Sequence, residues 1–547
     1  MKYLKIQQII RRNLNIIVML SLIIMVSTAF NIYSPFVLED AISSEENIIG
    51  GLALYFLVLI CSAACSLLYQ WLKKVYAIKF KEIESIRLSK LIYRMKYQDI
   101  LQKEPTYLIE RVEDAVENMY TLISEGVSEI VTGILSIIIL IIIIQKYSKF
   151  LMGLYIVYTL CSFFGFKFLN KTLLDKSIRM QDIVADNFKN ILSFMINVDF
   201  MKNLSKFSYI SKYLARFYKS SAKENADVNF FAESVSTILI LLLNMVQSSI
   251  YVYIFYLSFI KSISFSEAAV LILLNNIYKE AMDTVIHMNI NLRDVRASME
   301  FINTAIIPNQ EKIEGEVKLT EVSSVEVEIK NISYGETKLI NNGEFRCEKG
   351  DVVGLVGESG KGKSTFIKNM IGLMVNDENK ILYNNVEINN IDKDSLRHEV
   401  MYVSQNPSIF PITLKENCML CVDDENREEA SKELDKIINY KGFSKFKDLE
   451  NGLDTVILEG GSNLSGGDKQ KISVIRVLLG GCDLLILDEF SNSIDKETQE
   501  FIVDLVKEKY KDKILILITH DETLLKSCNK VYKIEDRCLS RVKEGEI

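Results

Sequence analysis

The sequence predicts a membrane protein of two domains: an all-α domain of six transmembrane helices, followed by an α/β domain built around a phosphate-binding loop. Long apolar runs lie before residue 290, whereas the second half has the mixed composition of a soluble domain. In that second half, a glycine-rich turn lies between an apolar strand and a helix. We expect the first domain over residues 1–300, a linker over 301–325 and the second domain over 326–547.

Six stretches approach the roughly 20 apolar residues that a helix needs to cross a bilayer core about 30 Å thick. The plainest is LSIIILIIIIQ at 135–145, which excludes a soluble helical core. The charged start and first apolar run could pass for a signal peptide, but the run is too long and leads into further spans. The predicted spans are 14–37, 50–72, 124–145, 149–169, 231–259 and 265–287.

Lys and Arg residues indicate how these spans are oriented. The loop at 39–47 contains neither residue, whereas 73–120 and 167–230 are rich in both. Because positive loops remain in the cytoplasm, we expect a multi-pass protein of the inner (cytoplasmic) membrane, with its N-terminus and second domain cytoplasmic. Apolar residues keep a helical period through both long segments, so their tips, at 95–110 and 195–215, should contact the cytoplasmic domain.

Charge and cysteine content restrict the partners. The net charge is -7 and no basic patch is concentrated anywhere, which argues against a nucleic-acid partner. The nine cysteines are scattered and do not resemble a disulfide framework. Cys418 and Cys421 form a lone CxxC without a second pair or a nearby His, so we interpret this spacing as chance in a reducing compartment.

The last predicted span is unusually polar, and two interpretations of it stay open. Ionisable groups inside a membrane are costly and normally face a bundle interior or a water-filled path. The stretch either belongs to a solvated cytoplasmic extension or lines a cavity for a polar or charged cargo. The residues concerned are Asn275, Asn276, Lys279, Glu280, Asp283 and His287.

A phosphate-binding loop follows the strand DVVGLVG at 351–357. GESGKGKS, at 357–364, matches GxxxxGK[ST] with a strand before it and a helix after it. Its glycines let backbone N–H groups converge on phosphate oxygens, Lys363 can reach the outer phosphates and Ser364 can hold Mg²⁺. The predicted nucleotide-binding residues here are Gly357, Ser359, Gly360, Lys361, Gly362, Lys363, Ser364 and Thr365.

Further residues complete a site for ATP hydrolysis. Asp488 ends the strand LLILD, beside the expected Mg²⁺, and Glu489 is suited to polarise an attacking water. His520 ends the strand ILILIT and could contact the γ-phosphate, while Gln405 could reach the metal or the water from a loop. Tyr334 is a candidate to stack on adenine, although a Tyr in a strand is more commonly a packing residue.

Together these segments resemble the ATP-binding cassette (ABC) family. GESGKGKS, Gln405, LSGGDKQ (464–470), LILDE, SNSID (491–495) and His520 occur in the family's order and spacing. The whole chain resembles an exporter-type half-transporter. The resemblance implies ATP and Mg²⁺ as cofactors and a second half-transporter as partner, with two cassettes closing head to tail.

In such a dimer, Ser465, Gly466 and Gly467 of one chain would cap the ATP held by the other, because an exposed Ser-Gly-Gly lets backbone approach the phosphate. The resemblance also implies that Asp495 crosses the dimer interface and that Glu459 contacts the cytoplasmic helix tips. Since each catalytic residue type is present in this chain, a homodimer is favoured and a heterodimer stays open.

The chain departs from the family pattern at two positions. Asp468 replaces a common Gln, and Lys361 replaces a small neutral residue. One hypothesis is that Asp468 of one subunit offsets the charge of Lys361 on the other. The alternative is two independent solvated variants, since exposed ion pairs contribute only about 0 to 1 kcal/mol.

The expected function is ATP-driven export of a small molecule or modified peptide by alternating access, in contact with membrane lipid. We expect no peptidase domain ahead of the first span, so a peptide cargo would arrive already processed or be cut elsewhere. Two alternatives stay open: an importer of a metal chelate, and an ATP-gated regulator or channel that does not pump.

Overall fold

The computed structural model describes residues 5–43, 48–203, 207–335, 337–374, 378–440, 442–490 and 494–542. Contacts divide the chain into two compact units, Met1–Gln310 and Glu311–Ile547. This division falls inside the stretch 301–325 that the sequence assigns to a linker.

The first unit is helical. Three of its helices have 46, 48 and 53 residues. At a rise of 1.5 Å per residue they are about 70 to 80 Å long, more than twice the thickness of a bilayer core, so they extend beyond it as expected. The helices are α1 Ile6–Arg12, α2 Leu14–Ser43, α3 Ile48–Tyr93, α4 Tyr97–Lys103, α5 Pro105–Thr121, α6 Ser128–Gln145, α7 Lys149–Ile196, α8 Val198–Asn203, α9 Phe207–Phe259 and α10 Phe265–Phe301.

Among the described residues, four helical segments are long and apolar enough to cross a membrane, and Lys149–Gly165 is a shorter apolar segment. The four are Leu14–Ser43, Ile48–Tyr93, Pro105–Gln145 and Ile240–Phe259. Helix α10, over the sixth predicted span, is not among them because it carries the polar residues noted above. The count of six spans therefore stays a prediction.

Small residues bring α2 and α3 together. The Ser27 hydroxyl donates a hydrogen bond of 3.0 Å to the Ser62 carbonyl. Nearer the end of the same pair, a Cβ atom at Gly51 would lie 2.4 Å from the Cβ of Ala41. Small side chains and interhelical hydrogen bonds are the means by which helices associate in lipid, where no hydrophobic driving force acts between them.

The second unit contains a ten-stranded sheet in the order β7-β6-β1-β4-β12-β11-β5-β10-β9-β8 and a separate β2-β3 ribbon. Strands β11, β5, β10, β9 and β8 run parallel. The strands are β1 Ser324–Ile329, β2 Ile332–Tyr334, β3 Thr337–Ile340, β4 Asn342–Glu348, β5 Val352–Gly357, β6 Lys380–Tyr383, β7 Val386–Glu387, β8 Val400–Val403, β9 Leu484–Asp488, β10 Ile514–Ile518, β11 Lys530–Glu535 and β12 Cys538–Arg541.

The parallel strands position the candidate site. All five residues of β9 and all five of β10 are buried, as expected of parallel strands covered on both faces. The carboxyl ends of β5, β9 and β10 meet at one edge, where open α/β sheets bind ligands. The helices of this unit are α11 Lys363–Met370, α12 Lys393–Glu399, α13 Leu414–Cys418, α14 Arg427–Ile437, α15 Gly466–Gly480, α16 Lys496–Lys509 and α17 Glu522–Leu525.

Candidate active site

The loop between β5 and α11 depends on its glycines. Gly360 and Gly362 have φ angles of 81° and 101°, which side chains with a Cβ rarely adopt. Gly362 is the N-cap of α11. A Cβ atom at Gly357 would lie 2.9 Å from the Ile534 carbonyl oxygen on the neighbouring strand β11. The loop therefore brings bare backbone to a helix N-terminus, an arrangement that attracts anions.

Lys363 is folded beneath this loop. Its ammonium donates to the carbonyl oxygens of Gly357 at 2.5 Å and Glu358 at 3.3 Å, and lies 3.4 Å from Nε2 of His520. Burial lowers the pKa of Lys363, while Glu489 and Asp488 act in the opposite direction. An anionic ligand would stabilise the charged form of this largely buried ammonium.

The Asp488 carboxylate accepts hydrogen bonds from two hydroxyl groups. The Ser364 hydroxyl donates to Oδ2 of Asp488 at 2.9 Å, and the Tyr402 hydroxyl donates to the same oxygen at 2.7 Å. Carboxylate and hydroxyl oxygens are the hard ligands that Mg²⁺ prefers, so the residues fit that ion. Sequence reasoning missed Tyr402, because only the parallel pairing of β8 with β9 puts it next to Asp488.

Glu489 lies at the centre of the predicted catalytic residues. Gln405 Nε2 donates to its Oε2 at 2.7 Å, and His520 Nε2 lies 3.6 Å from its Oε1. Its φ of 45° is uncommon for a residue with a side chain, and its N–H donates to the Ile518 carbonyl at 2.9 Å. Strained backbone of this kind is common at functional sites. The structure thus brings Gln405, Glu489 and His520 together.

The Ser-Gly-Gly turn begins α15. Ser465 is the N-cap of this helix and forms a capping box with Asp468, in which each residue hydrogen-bonds to the other. The Ser465 hydroxyl and N–H donate to Oδ2 of Asp468 at 2.6 and 3.1 Å, and the Asp468 N–H donates back at 3.2 Å. Lys445, which sequence reasoning missed, donates to the same Oδ2 at 2.8 Å. Burial alone would raise the pKa of Asp468, but the bonds from Lys445 and Ser465 lower it.

The hypothesis that Asp468 pairs with Lys361 across a dimer therefore meets competition within one chain. Lys361 lies 3.3 Å from a carboxylate oxygen of Glu358, and Asp468 is bound to Lys445. A cross-subunit pair would have to replace or share these contacts, and it stays a prediction.

The remaining predicted residues differ in setting. Tyr334 is 62% exposed at the end of β2, so its ring is accessible for stacking, and its adenine role stays a prediction. Asp495 accepts the Thr498 N–H at 2.9 Å as the N-cap of α16, and this bond lowers its pKa. The rest of SNSID, 491–493, lies outside the described residues. Glu459 is exposed.

Short helices lie at both predicted tips of the long helical segments. Helix α4 falls within 95–110 and α8 within 195–215. Residues 204–206 of the second tip lie outside the described residues. Contacts of these tips with the second unit stay a prediction.

The polar residues of α10 divide into two groups. Asn275 is buried and accepts the Tyr155 hydroxyl at 2.9 Å, and Asn276 accepts the Tyr251 hydroxyl at 3.0 Å. Glu280 instead lines a polar cavity. The side chain of His287 lies outside the described residues. Helix contacts therefore account for the side-chain oxygens of both asparagines, while the buried amide nitrogen of Asn275 has no hydrogen-bond partner. The cavity interpretation applies to Glu280.

Comparison with known proteins finds similarities to this chain. The ABC transporter family model matches residues 340–492, which contain the phosphate loop, Gln405, Ser465 and Glu489. The second half of the chain therefore contains an ABC transporter domain. A solved bacterial Atm1-family ABC exporter with ATP bound shares its fold with a TM-score of 0.79, at 17% identity, over 97% of this chain and 94% of that one.

Curated relatives match a smaller part of this chain. A putative export ATP-binding/permease protein of Rickettsia bellii is 31% identical over 40% of this chain and 38% of its own length. A probable ABC transporter ATP-binding/permease protein of Haemophilus influenzae is 30% identical over 46% of each. The ATP-dependent lipid A-core flippase of Escherichia coli is 29% identical over 47% of this chain and 44% of its own. The chain thus spans less than half the length of these relatives.

Proposed function

We propose that this chain is an ATP-driven exporter half-transporter that hydrolyses ATP in its cassette and moves a small molecule or modified peptide out of the cell. The observation that carries the proposal is the cluster at the carboxyl ends of β5, β9 and β10. It combines a phosphate loop, a Ser364–Asp488 pair suited to a metal, and Glu489 held by Gln405 and 3.6 Å from His520. The chain also carries several apolar helices of membrane-spanning length.

Each residue of the cluster has a role in this proposal. Ser364 and Asp488, with Gln405, would hold Mg²⁺, which neutralises charge on the phosphates when bound. Lys363 would exchange its carbonyl partners for phosphate oxygens. Glu489 would orient and polarise the attacking water, since its carboxylate is already oriented by the Gln405 amide. His520 would contact the γ-phosphate.

The active unit in this proposal contains two copies of the chain. Ser465 and Gly466 are exposed at the N-terminus of α15, where backbone N–H groups can receive a phosphate. In the head-to-tail arrangement of the family they would complete the partner's nucleotide site. The cassette dimer would then have an open and a closed state, and ATP binding would shift the equilibrium towards the closed state.

We propose outward transport of the cargo because of the names of similar proteins. The Rickettsia bellii protein carries a name that describes export, and the solved neighbour is titled an exporter. A lipid A-core flippase among the relatives acts on a lipid, but the polar lining described below favours a polar cargo for this chain.

Hydrolysis is tested with the purified full chain in lipid nanodiscs. We expect ATP hydrolysis by the wild type, abolition by Glu489→Gln, and wild-type rates in Glu425→Gln, a matched change at an exposed residue of the same unit. Hydrolysis by one chain type would support a homodimer. If ATP binds but is not hydrolysed by the wild type, the homodimer is wrong and a partner chain is required.

Direction is tested in vesicles with the cassettes outside. Net ATP-dependent accumulation of cargo in the lumen corresponds to export. Net loss of preloaded cargo would correspond to import and overturn the proposal. ATP hydrolysis without accumulation would correspond to a regulator or channel, and would overturn it as well.

A further inference from the structure

A cavity of about 250 Å³ lies within the helical unit and is lined by residues of α2, α3, α6 and α10. Glu129 of α6 and Glu280 of α10 both line it. No Lys or Arg belongs to its described lining. The cavity therefore brings two acids together without an adjoining base in its wall.

Hydroxyl groups in the wall are arranged as acceptors. Four of them donate their proton to a carbonyl of their own helix, which leaves the hydroxyl oxygen only acceptor capacity toward the cavity. The bonds are Thr28 to Ile24 at 2.7 Å, Thr132 to Ser128 at 3.1 Å, Ser136 to Thr132 at 2.7 Å, and Thr284 to Glu280 at 2.9 Å. The wall is consequently rich in oxygen acceptors.

Neighbouring groups do not neutralise both acids. The Tyr69 hydroxyl donates to Oε1 of Glu129 at 3.3 Å. Lys73 of α3 is ion-paired with Glu125, one turn before Glu129. Asn31 adds an amide to the wall, and its oxygen accepts the Ser62 hydroxyl at 2.7 Å. Two carboxylates and an amide in the cavity wall are thus available to a ligand in the cavity.

The chemistry of this wall selects a class of ligand. Carboxylates at membrane depth are costly unless they face water, a partner or a cavity. A ligand with a positive charge and several N–H donors satisfies both the carboxylates and the hydroxyl oxygens. The volume is smaller than the roughly 300 Å³ of the smallest drug-sized pockets, so it suits one charged group of a larger molecule.

We propose that this cavity binds a cationic amine group of the transported molecule, with Glu129 and Glu280 as the charge-recognising residues. The inference rests on the proposed export function for its biological role, but binding itself does not require hydrolysis. It narrows the cargo from any small molecule or peptide to one that carries an alkylammonium or guanidinium group.

Binding is tested without ATP on the full chain in phosphatidylcholine nanodiscs, whose lipid has no net charge. The probes are dansylcadaverine, a fluorescent primary amine, and its N-acetylated neutral form, each corrected for empty nanodiscs. We expect the wild type to bind the amine at least tenfold more tightly. Glu129→Gln with Glu280→Gln should weaken amine binding by at least tenfold, with the neutral probe unchanged.

Two further variants keep the test decisive. Glu117→Gln removes a carboxylate of α5 that pairs with Lys81 outside the cavity, and should bind like the wild type. Glu280→Gln alone changes an exposed side chain, and its binding is measured instead if the double variant does not fold. Equal binding of both probes by the wild type, or an unchanged amine affinity in the glutamine variants, would overturn the inference.

ATP hydrolysis measured on the same nanodiscs separates this inference from the proposed function. Selective amine binding without hydrolysis by the single chain would support the cavity and overturn the homodimer of the proposed exporter. Hydrolysis without selective binding would support the proposed function and overturn the cavity.

Discussion

Lys445 provides the sharpest test of how the Ser-Gly-Gly turn is held. Replacement by Met removes the ammonium that donates to Asp468 at 2.8 Å while keeping much of the side chain's volume. The Asp468 side chain is 8% exposed, so the variant leaves a buried carboxylate with only its Ser465 donors. We expect a less stable second unit.

The magnitude follows from the setting of the two groups. A hydrogen bond to a charged group contributes about 1.5 to 3 kcal/mol. The Lys445 side chain is 65% exposed, so solvent screening favours the lower end of that range, about 1.5 kcal/mol. For a unit of this size, 1 kcal/mol shifts the melting temperature by roughly 2 to 4 °C. We therefore expect a fall of about 3 to 6 °C.

The pH dependence has a defined sign. The pKa of Asp468 is lowered in the folded state, so its contribution is present above the unfolded pKa and is lost as pH falls through the folded value. Since an unfolded Asp titrates near 3.9, the Lys445→Met effect should be the same at about pH 7.5 and pH 5.5.

Thermal unfolding of the full chain in nanodiscs measures the change, with Lys432→Met, at an exposed position of α14, as the matched control. In an Asp468→Asn background, Lys445→Met should lower the free energy of unfolding by only about 0.5 kcal/mol or less, because the carboxylate that pairs with the Lys445 ammonium is absent. An equal cost in both backgrounds would refute the reasoning.

Three further predictions concern the same unit. Tyr402→Phe removes a hydroxyl that donates to Asp488, and should raise the Mg²⁺ concentration for half-maximal ATP hydrolysis by about tenfold; an unchanged titration would contradict the role. His398 has a pKa raised by its two acidic neighbours, so His398→Gln should lower the melting temperature at pH 6 by a small amount and have less effect at pH 9. A Lys361–Asp468 pair requires non-additive ATPase rates for Lys361→Ser and Asp468→Gln; additive rates would exclude it.

Local chemistry made much of the second unit predictable. The sequence GESGKGKS needs its glycines for backbone geometry, and Gly360 and Gly362 have the positive φ angles that this requires. Buried parallel strands are continuous apolar runs, so LLILD and ILILI were recognisable. The strand ends then located Asp488, Glu489 and His520 at one edge of the sheet.

Contacts between residues distant in sequence were not predictable in the same way. Tyr402 reaches Asp488 across 86 positions and Lys445 reaches Asp468 across 23, and neither belongs to a motif. The sequence also left open what the polar residues of α10 do. Tyr155 and Tyr251 come from other helices to bind the two asparagines, which no helical period encodes.

The amino-acid sequence by itself determined the two-domain order, the long apolar helices and the phosphate-binding motifs, because each depends on residues close together in the chain. Only the tertiary structure decided which partner holds Asp468, that Tyr402 supports Asp488, and that Glu129 and Glu280 face one cavity. The physical reason is that hydrogen bonds and charges act over a few ångströms of space, and the packing of helices and strands sets which distant residues share that space.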